Sequence, residues 1–211
     1  MNIIFDLDGT LLDSLPDIHK TANTVLSQIA EPPLTRDQAR SFIGNGVAVF
    51  VQKMRASRGI SDTHQEHLVA AFMALYQDAH DLTQPYPNVR DTLDRLRAAG
   101  HTLAICTNKP MAPTRTVLAH LGLTGFTPVM AGDSLPQRKP DPAPLLATIA
   151  AMPASPSVFV GDSEVDAETA KRAGVPFFLF TEGYRHTPQE ALPHHAVFSD
   201  FAALPEIVAR Q

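Results

Sequence analysis

Asp6 and Asp8 are separated by one residue, follow the apolar run Asn2-Ile3-Ile4-Phe5 and precede Gly9. In an extended chain alternate side chains share a face, so the two carboxylates point the same way and repel each other. A bound cation is the first device that makes such a pair tolerable. Other polar groups follow apolar runs in the same manner. Thr107-Asn108 comes after TLAIC, Gly161-Asp162 after SVFV, and Gly132-Asp133 after PVMA. Asp166 stands four residues beyond Asp162, and Lys139 precedes Pro140-Asp141-Pro142. Taken singly, these residues also read as plain turns, helix caps or a surface lysine. Together they bring acids, a hydroxyl, an amide and an ammonium to the ends of apolar runs, a set suited to anionic oxygen and a metal ion.

The runs themselves say how such residues meet. Each has the length of a strand without the alternation of a half-exposed one, which suits strands covered on both faces. Helical spacing lies between them. Residues 89–99 carry Val89, Leu93 and Leu96 before Gly100, and residues 113–121 carry Val117, Leu118 and Leu121 before Gly122. Asp141-Pro142 opens a helix through Ile149, and Glu164 to Ala173 ends at Gly174 with Pro176 beyond. Strands alternating with helices imply an α/β fold, a Rossmann-like parallel sheet with helices on both faces. Ligands of such sheets bind beyond the carboxyl ends of the strands, where the polar groups above are placed. Residues 14–84 break the alternation, with helical patterns at 15–29, 47–58 and 63–79 and no convincing strand. They predict an inserted α-helical cap domain, with residues 1–13 and 85–211 as the core. Its two narrow connections, LLDSLP and QPYPN, permit hinge motion. Asp13 and Ser14 read as hinge and cap residues.

Composition narrows the function. The 211 residues are 44% hydrophobic, enough for one domain and a modest insertion. The single cysteine, Cys106, excludes an internal disulfide framework and reads as core, with a reducing cytoplasm the expected compartment. Asp6 and Asp8 interrupt the apolar start too soon for a secretory signal, and no apolar stretch suits a membrane span. The net charge of -5, with scattered Lys and Arg, argues against a nucleic-acid partner. His64 and His67, and the adjacent His194 and His195, lack further ligands and read as solvated faces.

FDLDGTLLDS, ICTNKP, RKPDP and GDSEVD, in this order, resemble the haloacid dehalogenase superfamily of phosphotransferases over nearly the whole chain. For that chemistry a carboxylate attacks a phosphate dianion only if positive charge is supplied nearby. Asp6 is the expected nucleophile, forming an aspartyl-phosphate, and Asp8 the residue that protonates the leaving oxygen and later deprotonates water. Thr107, Asn108 and Lys139 would bind the phosphoryl oxygens. The resemblance implies Mg2+, held by the Asp6 carboxylate, the Asp8 main-chain carbonyl and the Asp162 carboxylate. Asp166 takes an orienting or water-mediated place beside that metal. The dehalogenases proper lack the second acid, so Asp8 argues for phosphoryl chemistry.

Substrate choice should lie in the cap, which closes over the leaving group. Gly44-Asn45-Gly46 precedes a helix, where it reads equally as a flexible loop or as backbone amides facing an anion. RSFIGNG, TNKP, KPDPAPLL and GDSEVDAETAKRAGVP together resemble the phosphoglycolate phosphatase family, which implies 2-phosphoglycolate as the substrate. Its carboxylate would suit that loop, with Arg40 nearby. The rivals are a sugar phosphomutase, a phosphatase of pyrophosphate or a sugar phosphate, and a non-catalytic phosphate-binding module. TEGYRHTP departs from the family's pattern, and its Arg185 reads either as a second anion contact or as surface. The expected partner is one small phosphorylated metabolite, and the expected assembly a monomer or homodimer.

Overall fold

The computed structural model describes residues 1–210. Six parallel strands form one sheet in the order β5, β4, β1, β6, β7, β8. They are β1 (Asn2–Phe5), β4 (Thr102–Cys106), β5 (Phe126–Met130), β6 (Ser157–Gly161), β7 (Phe177–Phe180) and β8 (Ala196–Phe198). From β1 the chain winds through β4 and β5 to one side, then through β6, β7 and β8 to the other. The strand order therefore reverses at β1, where doubly wound sheets open a crevice for ligands.

Helices α5 (Val89–Ala98), α6 (Met111–His120), α7 (Ala143–Ala150), α8 (Glu164–Ala173) and α9 (Leu204–Ala209) cover the sheet. Side chains alternate across each strand, so β1, β4, β6 and β7 each feed two cores. Ile3, Phe5, Leu103, Ile105, Val158 and Val160 pack on one face with Val89, Leu93 and Leu96 of α5. Ile4, Ala104, Cys106 and Phe159 pack on the other with Leu145 of α7 and Ala167 and Ala170 of α8. Burial on both faces explains the unbroken apolar runs. Cys106 is fully buried in the second core.

Four helices lie between β1 and α5. They are α1 (Leu15–Gln28), α2 (Arg36–Phe42), α3 (Val47–Ala56) and α4 (Gln65–Tyr76). They enclose a third core containing Ile18, Val25, Phe50, Met54, Phe72 and Tyr76. Helix α2 is an addition to the three helical segments expected here. It is held by a reciprocal cap in which the Thr35 hydroxyl accepts from Gln38 N (3.1 Å) and the Gln38 side chain accepts from Thr35 N (3.0 Å). The two connections are also paired with each other. Strand β2 (Leu12–Asp13) runs antiparallel to β3 (Gln84–Pro85), with Leu12 opposite Pro85. Asp17 braces the return, accepting from Leu82 N, Thr83 N and the Thr83 hydroxyl at 2.6–3.0 Å. No helix among the described residues is long and apolar enough to cross a membrane.

Candidate active site

Sheet register brings the predicted residues together. Phe5 lies level with Ile105 on β4 and Val160 on β6, so Asp6 emerges beside Cys106 and Gly161, one step before Thr107 and Asp162. Beyond Asp6 the chain turns tightly, with Thr10, Leu11 and Leu12 N–H all donating to the Leu7 carbonyl. Gly9 at this turn has φ +85°, and a Cβ there would stand 2.6 Å from an Asp162 carboxylate oxygen. Only glycine supplies both the left-handed backbone and the close approach. Asp6 and Asp8 line the same two cavities, as their shared face requires.

Lys139 is buried between two of the acids. Its ammonium lies 2.9 Å from Asp6 Oδ1 and 2.7 Å from Asp166 Oδ1. The first contact is an ion pair without hydrogen-bond alignment, and Asp6 Oδ1 is a buried oxygen with no hydrogen-bond partner. Burial disfavours the Lys139 charge, but Asp166 and Asp6 outweigh it and hold the ammonium more firmly protonated than a free lysine. Burial pushes the Asp6 carboxyl up to about 6; Lys139 pulls it back and Asp166 adds to the rise. Asp162 is raised well above the usual carboxylate range by burial, then by Asp166 and Asp6. Its oxygens accept from the Thr10 hydroxyl (2.7 Å) and from Tyr184 N (2.6 Å), which oppose that rise. Asp166 is engaged by Lys139, by the Ser163 hydroxyl (2.6 Å) and by the Ser163 and Asp162 N–H groups. It heads α8 as half of a capping box with Ser163.

Oxygens of Asp6, Asp162 and Asp166 lie within 4.8 Å of one another. Hard divalent cations take such oxygen donors. The Asp6 oxygen that no hydrogen bond satisfies and the crowding that resists ionisation at Asp6 and Asp162 both fit a cation at this point.

The other predicted residues divide. Thr107 and Asn108 are buried at the end of β4 and line the smaller cavity with Asp6 and Asp8. The Asn108 carboxamide is committed. It accepts from Lys139 N (3.0 Å) and donates to the carbonyls of Lys139 and Gly44, each at 2.9 Å. Gly44 and Gly46, at φ +116° and +82°, line the smaller cavity, and Asn45 lines the larger. Arg40 is turned elsewhere: exposed, it donates to the Gly183 carbonyl and borders neither cavity. Arg185 donates to the Thr181 carbonyl within its own loop and borders neither cavity.

Two residues had no sequence signal. Tyr184, within TEGYRHTP, packs in the core of the inserted helices while its N–H holds Asp162. Its hydroxyl donates to Asp13 (2.8 Å) and accepts from Leu15 N (2.9 Å), at the first connection. Lys109 is buried and reaches Asp8 at 3.1 Å and the Tyr76 hydroxyl of α4. Lys109 stands within TNKP, but these contacts span 101 and 33 residues and leave no local period.

Comparison with known proteins gives the family. The family model for haloacid dehalogenase-like hydrolases matches residues 3–180, and the chain belongs to that family. It is thus an enzyme of the hydrolase class whose family implies a divalent metal. A phosphoglycolate phosphatase of Cereibacter sphaeroides is 49% identical over 99% of this chain and 97% of its own length. One from Pseudomonas putida is 39% identical over 96% of this chain and 77% of its own. The crystal structure of a predicted phosphoglycolate phosphatase from Haemophilus somnus superposes with a TM-score of 0.90 at 32% identity, over 98% of this chain and 96% of that one.

Proposed function

We propose that this chain is a magnesium-dependent phosphatase that hydrolyses 2-phosphoglycolate to glycolate and phosphate. The observation that carries the reading is the buried Lys139 ammonium 2.9 Å from Asp6 at the carboxyl end of the central strand, with Asp162 alongside. The names of the curated relatives supply the substrate.

Asp6 attacks phosphorus, and the bond to the leaving oxygen breaks as the aspartyl-phosphate forms. Asp8 donates a proton to that oxygen, then takes one from the water that attacks the aspartyl-phosphate and releases phosphate. The Thr107 hydroxyl faces the transferring oxygens, whose charge grows in the transition state, and Lys139, held on Asp6 and Asp166, supplies positive charge from the core side of Asp6. Asn108, its carboxamide fixed on Lys139 and Gly44, holds Lys139 in place and leaves its backbone N–H for the phosphoryl group. Mg2+ would be held by the Asp6 and Asp162 carboxylates and the Asp8 carbonyl, neutralising phosphate charge so that an anion can approach. Asp166 orients Lys139. Residues 14–84 act as the cap, swinging on the paired β2 and β3 connection to exclude water.

The smaller cavity, about 50 Å³, has room for roughly three to five water-sized groups. A panel of 2-phosphoglycolate, pyrophosphate and hexose phosphates, scored by kcat/KM with Mg2+, tests the assignment. Preference for 2-phosphoglycolate is expected; a more than about tenfold preference for another member, about 1.4 kcal/mol, refutes the substrate but not the reaction.

A further inference from the structure

The walls of the smaller cavity are unlike its floor. Ile18 of α1, Ile43, Val47 and Phe50 of the α2–α3 region and Phe72 of α4 make them apolar. Among the described residues, Lys109 is the only cation lining this cavity. Lys139 serves the acids from the core side and is absent from the lining. Arg40, the cation expected for a substrate carboxylate, is used on the Gly183 carbonyl.

We propose that Lys109 recognises the substrate by its second anionic group, binding the carboxylate of the leaving acid inside this chamber. The inference rests on the 2-phosphoglycolate reading and assigns the specificity that the reading leaves open. Three observations converge on it. The Lys109 side chain is 2% exposed and pairs with Asp8, the residue placed at the leaving oxygen, so it stands on the leaving-group side of phosphorus. The α4 residue Tyr76 receives a hydrogen bond from its ammonium and sets its ring 4.3 Å beneath it, which aims the charge from the inserted helices. The ammonium rests on both Asp8 oxygens, at 3.1 and 3.4 Å, and on the Tyr76 hydroxyl, so a substrate carboxylate would take the donor that now serves the second, longer contact to Asp8. A single fixed cation in apolar surroundings selects for charge on the leaving group, because a neutral group of equal size gains nothing from it.

The test compares 2-phosphoglycolate with ethyl phosphate, which has the same carbon count without the carboxylate. The quantity read is the ratio of their kcat/KM values, measured with Mg2+ in wild type and in Lys109→Met. Loss of the contact to Asp8 slows both substrates together and cancels in the ratio. Removal of a charged hydrogen bond to the carboxylate lowers the ratio by about 10- to 100-fold, expressed mainly in KM for 2-phosphoglycolate. Tyr76→Phe, which keeps the ring and removes the hydroxyl, lowers it by about threefold to tenfold and decides the matter if Lys109→Met does not fold. A wild type that favours 2-phosphoglycolate while folded Lys109→Met keeps the wild-type ratio overturns the inference alone, leaving Lys109 as a brace for Asp8. In that fallback case, an unchanged ratio in Tyr76→Phe overturns it in the same way. A wild type without preference for 2-phosphoglycolate overturns the substrate reading and this inference with it.

Discussion

Replacing the proposed nucleophile should make the metal-free protein more stable. Asp6 is buried beside Asp162 and Asp166, and its carboxyl is raised from 3.8 to about 6. The sign follows from linkage: the folded state holds a proton that the unfolded chain gives up more readily, so this group costs stability as pH rises through that interval. Below 3.8 the cost is absent, and above 6 it is complete. The interval corresponds to about 3 kcal/mol at pH 7 and about half of that at pH 5. Asp6→Asn keeps the shape and removes the ionisation. With EDTA present, its urea midpoint should exceed wild type at pH 7 by the equivalent of up to about 3 kcal/mol, with the difference shrinking at pH 5 and an unchanged slope. Saturating Mg2+ should favour wild type if, as proposed, the cation binds the Asp6 carboxylate. An Asp6→Asn protein less stable than wild type at pH 7 without metal, or a difference independent of pH, would show that burial does not strain Asp6.

Three further outcomes follow from the same contacts. Lys139→Met leaves Asp6 and Asp166 without their shared cation, and kcat should fall by about 10²- to 10³-fold in steady-state assays while Asp6 becomes still harder to ionise. Gly183→Ala places a Cβ 2.3 Å from an Asp162 carboxylate oxygen and from the Gly9 carbonyl, so calorimetric titration should show weakened Mg2+ binding. Tyr184→Phe loses the hydroxyl bonds to Asp13 and Leu15 N but keeps the N–H to Asp162. It should cost about 1–2 kcal/mol in denaturant unfolding while Mg2+ affinity stays near wild type.

The core sheet was legible because its strands are buried on both faces, and the apolar runs stop where Asp6, Thr107 and Asp162 begin. One sequence register therefore marked both the strands and the polar rim. Thr35-Arg-Asp-Gln38 carries the signature of a helix start, but the seven residues of α2 are too few to show an apolar stripe. The two-residue strands β2 and β3 are shorter than any period. For Arg40 the sequence shows a charge near the Gly44 loop but not its direction, which the Gly183 carbonyl determines. Tyr184 and Lys109 act through contacts with residues 171 and 101 positions away, which a pattern of local spacing does not encode.

The most direct test of Asp6 as nucleophile is acid quenching of a single turnover of 2-phosphoglycolate with Mg2+, followed by peptide mass spectrometry. One added phosphoryl group on the peptide bearing Asp6, absent from Asp6→Asn, together with a variant that no longer releases phosphate, is the result expected. A phosphoryl group on a different residue, or an Asp6→Asn protein turning over at the wild-type rate, would contradict it.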